Sequence, residues 1–159
     1  MRLEAGMPAP EIGLPDASGH IWRLADLAGK KAIVYFYPAD DTPGCTAEAC
    51  DFRDSMGDFQ TDGYTVLGIS PQDAASHEAF AAKYRLNFPL LIDADLKVAE
   101  RYGAVADKER DYKGIPLKVA RSTFVIEPDG RLAHALYGFR GQGHVRQLKE
   151  LLGLSHRAD

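Results

Sequence analysis

Apolar residues along the chain fall into short unbroken runs separated by stretches with helical spacing. The clearest run, Ala32-Ile33-Val34-Tyr35-Phe36-Tyr37, has the length and β-branched character of a strand buried on both faces, and Pro38 ends it. Thr42 and Pro43 then give a helix start, a hydroxyl residue at the N-cap and a proline at N1, where its missing N–H costs nothing. From there Cys45, Ala49, Phe52, Met56 and Phe59 recur at helical intervals, predicting one buried stripe on a helix over Pro43–Gln60.

The same reading carries through the rest of the chain. A hairpin is predicted between Glu11 and Leu24 around the turn Leu14–His20, followed by a helical turn at Leu24–Gly29. The central strand is placed at Lys31–Tyr37, and further strands at Tyr64–Ile69 and Pro89–Ile92. Helices are placed at Ala74–Tyr84, capped by Ser70–Asp73, and at Leu96–Tyr102, stopped by Gly103. Ser122–Ile126 and Leu132–Tyr137, joined by Glu127-Pro128-Asp129-Gly130, form an antiparallel pair, and a last helix covers His144–Leu152. The charged stretch from Ala104 to Ala120 yields no element. Strands alternating with helices and then pairing as a hairpin, with no internal repeat, predict an α/β fold: a central mixed sheet flanked by helices, in one domain spanning residues 1–159.

Composition changes this picture mainly by exclusion. Net charge is -4, from 19 basic and 23 acidic side chains, and the lysines and arginines are scattered, so nucleic acid is not an expected partner. No stretch has the length of a membrane span and the N-terminus has no apolar leader, so no membrane partner is expected and the protein is read as cytoplasmic. Two cysteines are too few for a secreted disulfide framework. Histidines 20, 77, 134, 144 and 156 are not spaced as a zinc site, so neither a metal nor a cofactor is expected, and they are read as surface residues.

The candidate chemistry lies with the cysteines. Cys45 falls in the first helical turn, where unpartnered N–H groups and the helix dipole stabilise a thiolate, and the stripe turns it inward. Cys50 lies roughly 140° around the helix and nearer the surface. Asp40 and Asp41 are read as exposed carboxylates. Arg121, ahead of Ser122–Ile126 at a sheet edge, reads on its own as a solvated charge. These residues alone leave three readings open: an inert packed pair of thiols, a thiol-disulfide oxidoreductase acting on proteins, and a redox-sensing or holdase-like binding protein.

Pro38, Thr42 and Cys45 spell P-x-x-x-T-x-x-C, and with this the chain resembles the peroxiredoxin family. Cys50 five residues on, and the run Asp40-Asp41-Thr42-Pro43-Gly44-Cys45-Thr46, are most similar to its bacterioferritin-comigratory or Q-type subgroup. The likeness extends over Pro38–Asp54, Phe88–Asp93, Arg121–Gly130 and Gly143-His144. It implies a thioredoxin-like fold with an N-terminal extension and a thiol-dependent peroxidase acting on hydrogen peroxide and organic hydroperoxides. Carried over by residue, it makes Cys45 the peroxidatic thiol and Cys50 the resolving one, in an intramolecular disulfide recycled by a thioredoxin-like reductant. Thr42 is implied to hydrogen-bond thiolate and peroxide, Pro38 to shape the pocket, and Arg121 to polarise sulfur and peroxide, in a monomer or weak dimer. The chain departs from the pattern at Ala39, where many relatives carry a basic residue, and over Asp107–Ala120, which is longer and more charged.

Two other patterns are given structural readings. Gly138-x-x-Gly141-x-Gly143 has the wrong spacing for a dinucleotide loop and is read as loop glycines needing positive φ. Asp93-Ala94-Asp95 is read as a turn and helix cap.

Overall fold

The computed structural model describes residues 2–138 and 140–154. Its centre is β3 (Lys31–Phe36), which pairs in parallel with β4 (Tyr64–Ser70) and antiparallel with β8 (Ser122–Ile126). With β5 (Leu90–Ile92) and β9 (Leu132–Tyr137) these make a five-stranded mixed sheet in the order β5-β4-β3-β8-β9. β3 lies in the middle of that order, so both its edges are paired and both its faces covered. This is why its sequence is apolar at every position rather than at alternate ones.

Alternate residues of β3 serve two different cores. Ile33 and Tyr35 face α2 (Pro43–Thr61), α3 (Ala74–Tyr84) and α5 (His144–Leu151), packing with Cys45, Ala49, Phe52, Phe80, Val145 and Leu148. Ala32, Val34 and Phe36 face the opposite layer, with Ile12, Leu27 and Tyr102, α1 (Leu24–Leu27) and α4 (Lys97–Arg101) lying on that side. All five stripe residues of α2 are buried, and Tyr35 stacks on Phe52 with ring centroids 4.5 Å apart. That stack fixes the height of α2 above the sheet and hence where its first turn stands.

The N-terminal hairpin is present as two short strands, β1 (Leu14–Pro15) and β2 (Ile21–Trp22). Ala104–Ala120, silent in the sequence pattern, holds a second hairpin, β6 (Val105–Tyr112) and β7 (Ile115–Val119). It turns at Lys113 and Gly114, both with positive φ (48° and 86°), as the tight turns of two-residue hairpins require. Asp107–Asp111 is exposed and the pairing is irregular between Val105 and Arg110, so no face of β6 carries an apolar alternation that could have announced it. Asp93 caps α4 as read, its carboxylate accepting from the Val98 and Ala99 N–H groups.

Three sequence readings need correction. His77 and His144 are buried, not on the surface, because each has a polar partner inside: Asp40 and Leu91 O for His77, Thr123 for His144. His20 is exposed, His134 half-buried, and His156 lies outside the described residues. Arg121 is not at a sheet edge, since β8 lies between β3 and β9. Of the three loop glycines, Gly138 and Gly143 do have positive φ, but Gly141 does not. Its reason is close approach: a Cβ there would run into the carbonyl oxygen of Gly44 and stand 3.2 Å from Arg121 Cζ.

Candidate active site

The loop from the end of β3 to α2 is fastened on its upstream side before the helix begins. Asp40, read as exposed, is buried, because three polar partners meet its carboxyl group: Tyr37 Oη at 2.6 Å, Ser76 Oγ at 2.7 Å and His77 Nδ1 at 2.6 Å. Its own N–H donates to Gln72 Oε1 at 2.8 Å. His77 Nε2 donates to Leu91 O at 2.9 Å, which locks the ring between α3 and β5. Asp41 is exposed, as expected, at φ 59°, and accepts from Lys83 Nζ and Tyr84 Oη. The whole segment is thus tied to α3 and Thr42 is delivered to a fixed point.

Thr42 is the N-cap of α2 and Pro43 stands at N1. The Thr42 side chain does not close the helix end. Its hydroxyl donates to Ala39 O at 3.1 Å, which leaves the oxygen's lone pairs to accept. Cys45 follows in the first turn, buried at 1% exposure, and Cys50 is half-buried farther along the same continuous helix; both are free thiols. Arg121 enters from the start of β8 and reaches both α2 and the sulfur. Its Nη2 lies 3.4 Å from Cys45 Sγ, and its Nη1 donates to Glu48 Oε1 at 2.6 Å.

Glu48 was not singled out from the sequence. It is fully buried and its second oxygen, Oε2, has no hydrogen-bond partner among the described residues. A signal for it existed: Glu48 lies three residues after Cys45, on the buried stripe, and a carboxylate there calls for a cation from elsewhere. Burial pushes its carboxyl up to about 7, with Arg121 pulling the other way. For Arg121 burial opposes the charge, but Glu48 and Cys45 outweigh it and hold the guanidinium firmly protonated. His144, at the start of α5, is lowered to about 4 by burial and then by Arg121, so it is a neutral imidazole at pH 7. Beside them, burial and then Glu48 push the Tyr35 phenol well above its ordinary range.

A groove of about 1190 Å³ opens beside the guanidinium, with Pro38, Val119, Arg121, Tyr137 and Gly141 in its walls and the β6–β7 hairpin as its far side. The structure therefore sets Arg121 against the buried Cys45 sulfur, with Thr42 at the start of the same helix and Pro38 in the wall of the groove that Arg121 also lines. Cys50 is on the same helix but separated from that sulfur: five residues along a regular helix place two Cα atoms roughly 8.6 Å apart. Among the described residues no cluster of three or more His, Cys, Asp or Glu is arranged for a metal ion, and no helix is long and apolar enough to cross a membrane.

The AhpC/TSA family matches residues 5–135. A Mycobacterium tuberculosis protein whose name places it among the peroxiredoxins is 46% identical over 153 residues, covering 96% of this chain and 97% of its own. Peroxiredoxin Bcp of Escherichia coli is 40% identical over 145 residues, 89% of this chain and 90% of its own. Among solved structures, peroxidoxin BcpB of Mycobacterium tuberculosis superposes with a TM-score of 0.81 at 31% identity, covering 99% of each chain. The chain accordingly belongs to the AhpC/TSA family, and within it to the thioredoxin-like peroxiredoxins of the bacterioferritin-comigratory or Q type.

Proposed function

We propose that this peroxiredoxin reduces hydrogen peroxide and organic hydroperoxides through Cys45, resolves the product with Cys50, and is recycled by a thioredoxin-like dithiol. The observation that carries the reading is the Arg121 Nη2 contact at 3.4 Å to a buried Cys45 sulfur in the first turn of α2. In this scheme the Cys45 thiolate attacks the terminal peroxide oxygen; an S–O bond forms, the O–O bond breaks, and the alkoxide leaves and is protonated. Arg121 stabilises the charge that moves from sulfur to oxygen, Thr42 accepts from the peroxide hydroxyl, and Pro38 walls the groove that admits it. The groove beside Arg121 has room for an alkyl group, and alkyl peroxide reduction is named for a bacterioferritin comigratory protein of Xanthomonas campestris, 31% identical with a TM-score of 0.80.

Resolution requires motion. A disulfide spans about 4.4–6.8 Å between Cα atoms, less than a regular helix allows between Cys45 and Cys50. The first turns of α2 therefore unwind so that the Cys50 thiolate reaches the sulfenic sulfur, expels hydroxide and closes an intramolecular disulfide. We read the chain as one domain, working in the cytoplasm as a monomer or weak dimer.

The test is peroxide consumption with thioredoxin, thioredoxin reductase and NADPH. Wild type is expected to turn over, Cys45→Ser to be inert, and Cys50→Ser to react once without recycling. Turnover by Cys45→Ser overturns the assignment of the nucleophile. Peptide mapping after one equivalent of peroxide is expected to find a Cys45–Cys50 link within one chain; a link found only between chains overturns the intramolecular step.

A further inference from the structure

Two acids face one cation at the centre of the site. Glu48 follows Cys45 by three residues, so both side chains leave α2 on the same face. The single guanidinium of Arg121 meets both, Glu48 Oε1 at 2.6 Å and Cys45 Sγ at 3.4 Å. The other titratable groups around Glu48 and its guanidinium are Asp51 on α2, Tyr35 from β3 and His144 from α5. Asp51 adds negative charge, while the buried phenol and the buried imidazole are neutral. Only Arg121 among them is a cation. With full burial and one positive charge, the pocket stabilises one anion well and a second poorly. Oε2 of Glu48, buried without a partner among the described residues, is where a proton can be held without breaking the Oε1 contact.

We propose that Glu48 and Cys45 share one proton: Glu48 takes up the proton that the thiol gives up, holds it while the thiolate attacks, and gives it back when the alkoxide leaves. This rests on the reading of Cys45 as the nucleophile. In the first step the S–H bond breaks and an O–H bond forms at Glu48, so thiolate and carboxylic acid replace thiol and carboxylate with no change in net charge. In the second the sulfur attacks the terminal peroxide oxygen, the O–O bond breaks and its electron pair departs on the alkoxide; sulfur is oxidised by two electrons and the peroxide reduced by two. The alkoxide then gains one proton as Glu48 loses one, and the carboxylate pairs with Arg121 beside a neutral sulfenic acid. Arg121 faces one anion at every stage. Glu48 contacts the guanidinium and not the reacting atoms, so each proton is exchanged through solvent rather than handed over directly, and Glu48 acts on the sulfur as a positioning residue through the charge it shares on Arg121.

Infrared difference spectra of the full-length reduced protein, before and after one equivalent of tert-butyl hydroperoxide at pH 7, test this directly. A protonated-carboxyl band is expected in the reduced wild type, lost on oxidation and absent from Glu48→Gln. The pH profile of the peroxide rate constant is expected to rise in two steps in wild type and in one step in Glu48→Gln, which a merely structural role would not produce. No loss of a carboxyl band on oxidation, a band that survives in Glu48→Gln, or an identical profile in the two proteins overturns the proposal. Should Glu48→Gln not fold, the wild-type spectra decide by themselves. Cys45→Ser separates the two failures: if it still consumes peroxide, the nucleophile is misassigned, whereas an inert Cys45→Ser with no carboxyl band in wild type rejects the shared proton alone.

Discussion

Replacing Arg121 by lysine keeps the charge and removes the fork. The guanidinium serves two acceptors with two different nitrogens, Nη1 for Glu48 and Nη2 for Cys45, and one ammonium on a flexible stem cannot hold both directions at once. Which acceptor keeps the lysine follows from burial. With Cys45 still a thiol and Glu48 a fully buried carboxylate, leaving that carboxylate without a cation costs about 3–5 kcal/mol, whereas losing one hydrogen bond to a charged group costs about 1.5–3 kcal/mol. The lysine is therefore expected to hold Glu48 in its carboxylate form, and the sulfur to lose its contact as it ionises. That loss corresponds to a fall of roughly 10- to 150-fold in the second-order rate constant for peroxide. Competition with a haem peroxidase for hydrogen peroxide reads the rate constant, and circular dichroism checks that the fold is unchanged. A rate constant within twofold of wild type (on the order of 0.4 kcal/mol) would refute the reasoning, because it would mean that the sulfur does not depend on the second nitrogen.

The remaining predictions concern packing, pH and motion. Gly141→Ala drives a Cβ against Gly44 O and Arg121 Cζ, and is expected to cost about 1–3 kcal/mol in stability and to lower the peroxide rate by displacing the guanidinium, read by thermal melts and by the same competition assay. The folded-state value of about 4 for His144, against 6.5 for a free imidazole, means that between these values the unfolded chain binds more protons than the folded one. Stability contributed by neutral His144 is thus complete above pH 6.5 and is lost as pH falls toward 4, on the order of 3 kcal/mol, so the wild-type minus His144→Gln difference in unfolding free energy is expected to shrink across that window and a flat difference would exclude it. In hydrogen exchange, Cys45 to about Phe52 is expected to exchange faster in the disulfide form than in the reduced form, with β3 unchanged; equal protection in both would rule out local unwinding.

What local sequence determined is what depends on neighbours along the chain. The unbroken apolar run of Ala32–Tyr37 could only be a strand covered on both faces, and Thr42-Pro43 could only open a helix, so Cys45 was committed to a first turn and to the buried side by residues within sixteen positions of it. β8, β9 and α3 begin and end where the pattern put them, for the same reason. Polar burial is decided differently. Asp40, Glu48, His77 and His144 look like surface residues until a partner arrives from a distant segment: Glu48 needs Arg121 73 positions away, and Asp40 needs His77 37 positions away. Gly141 is a glycine because the carbonyl of Gly44 stands against it, a contact that only the packing of the β9–α5 loop on α2 creates. The hairpin of β6 and β7 escaped notice because it is exposed along much of its length, and a strand with no buried face leaves no hydrophobic period to read. The place of one thiol in a buried first turn was therefore legible from the chain, and its role only from the family resemblance, while the charges beside it, Arg121 and Glu48, were brought together by tertiary structure alone: desolvation and Coulomb energy depend on distance in space, which local periodicity does not carry.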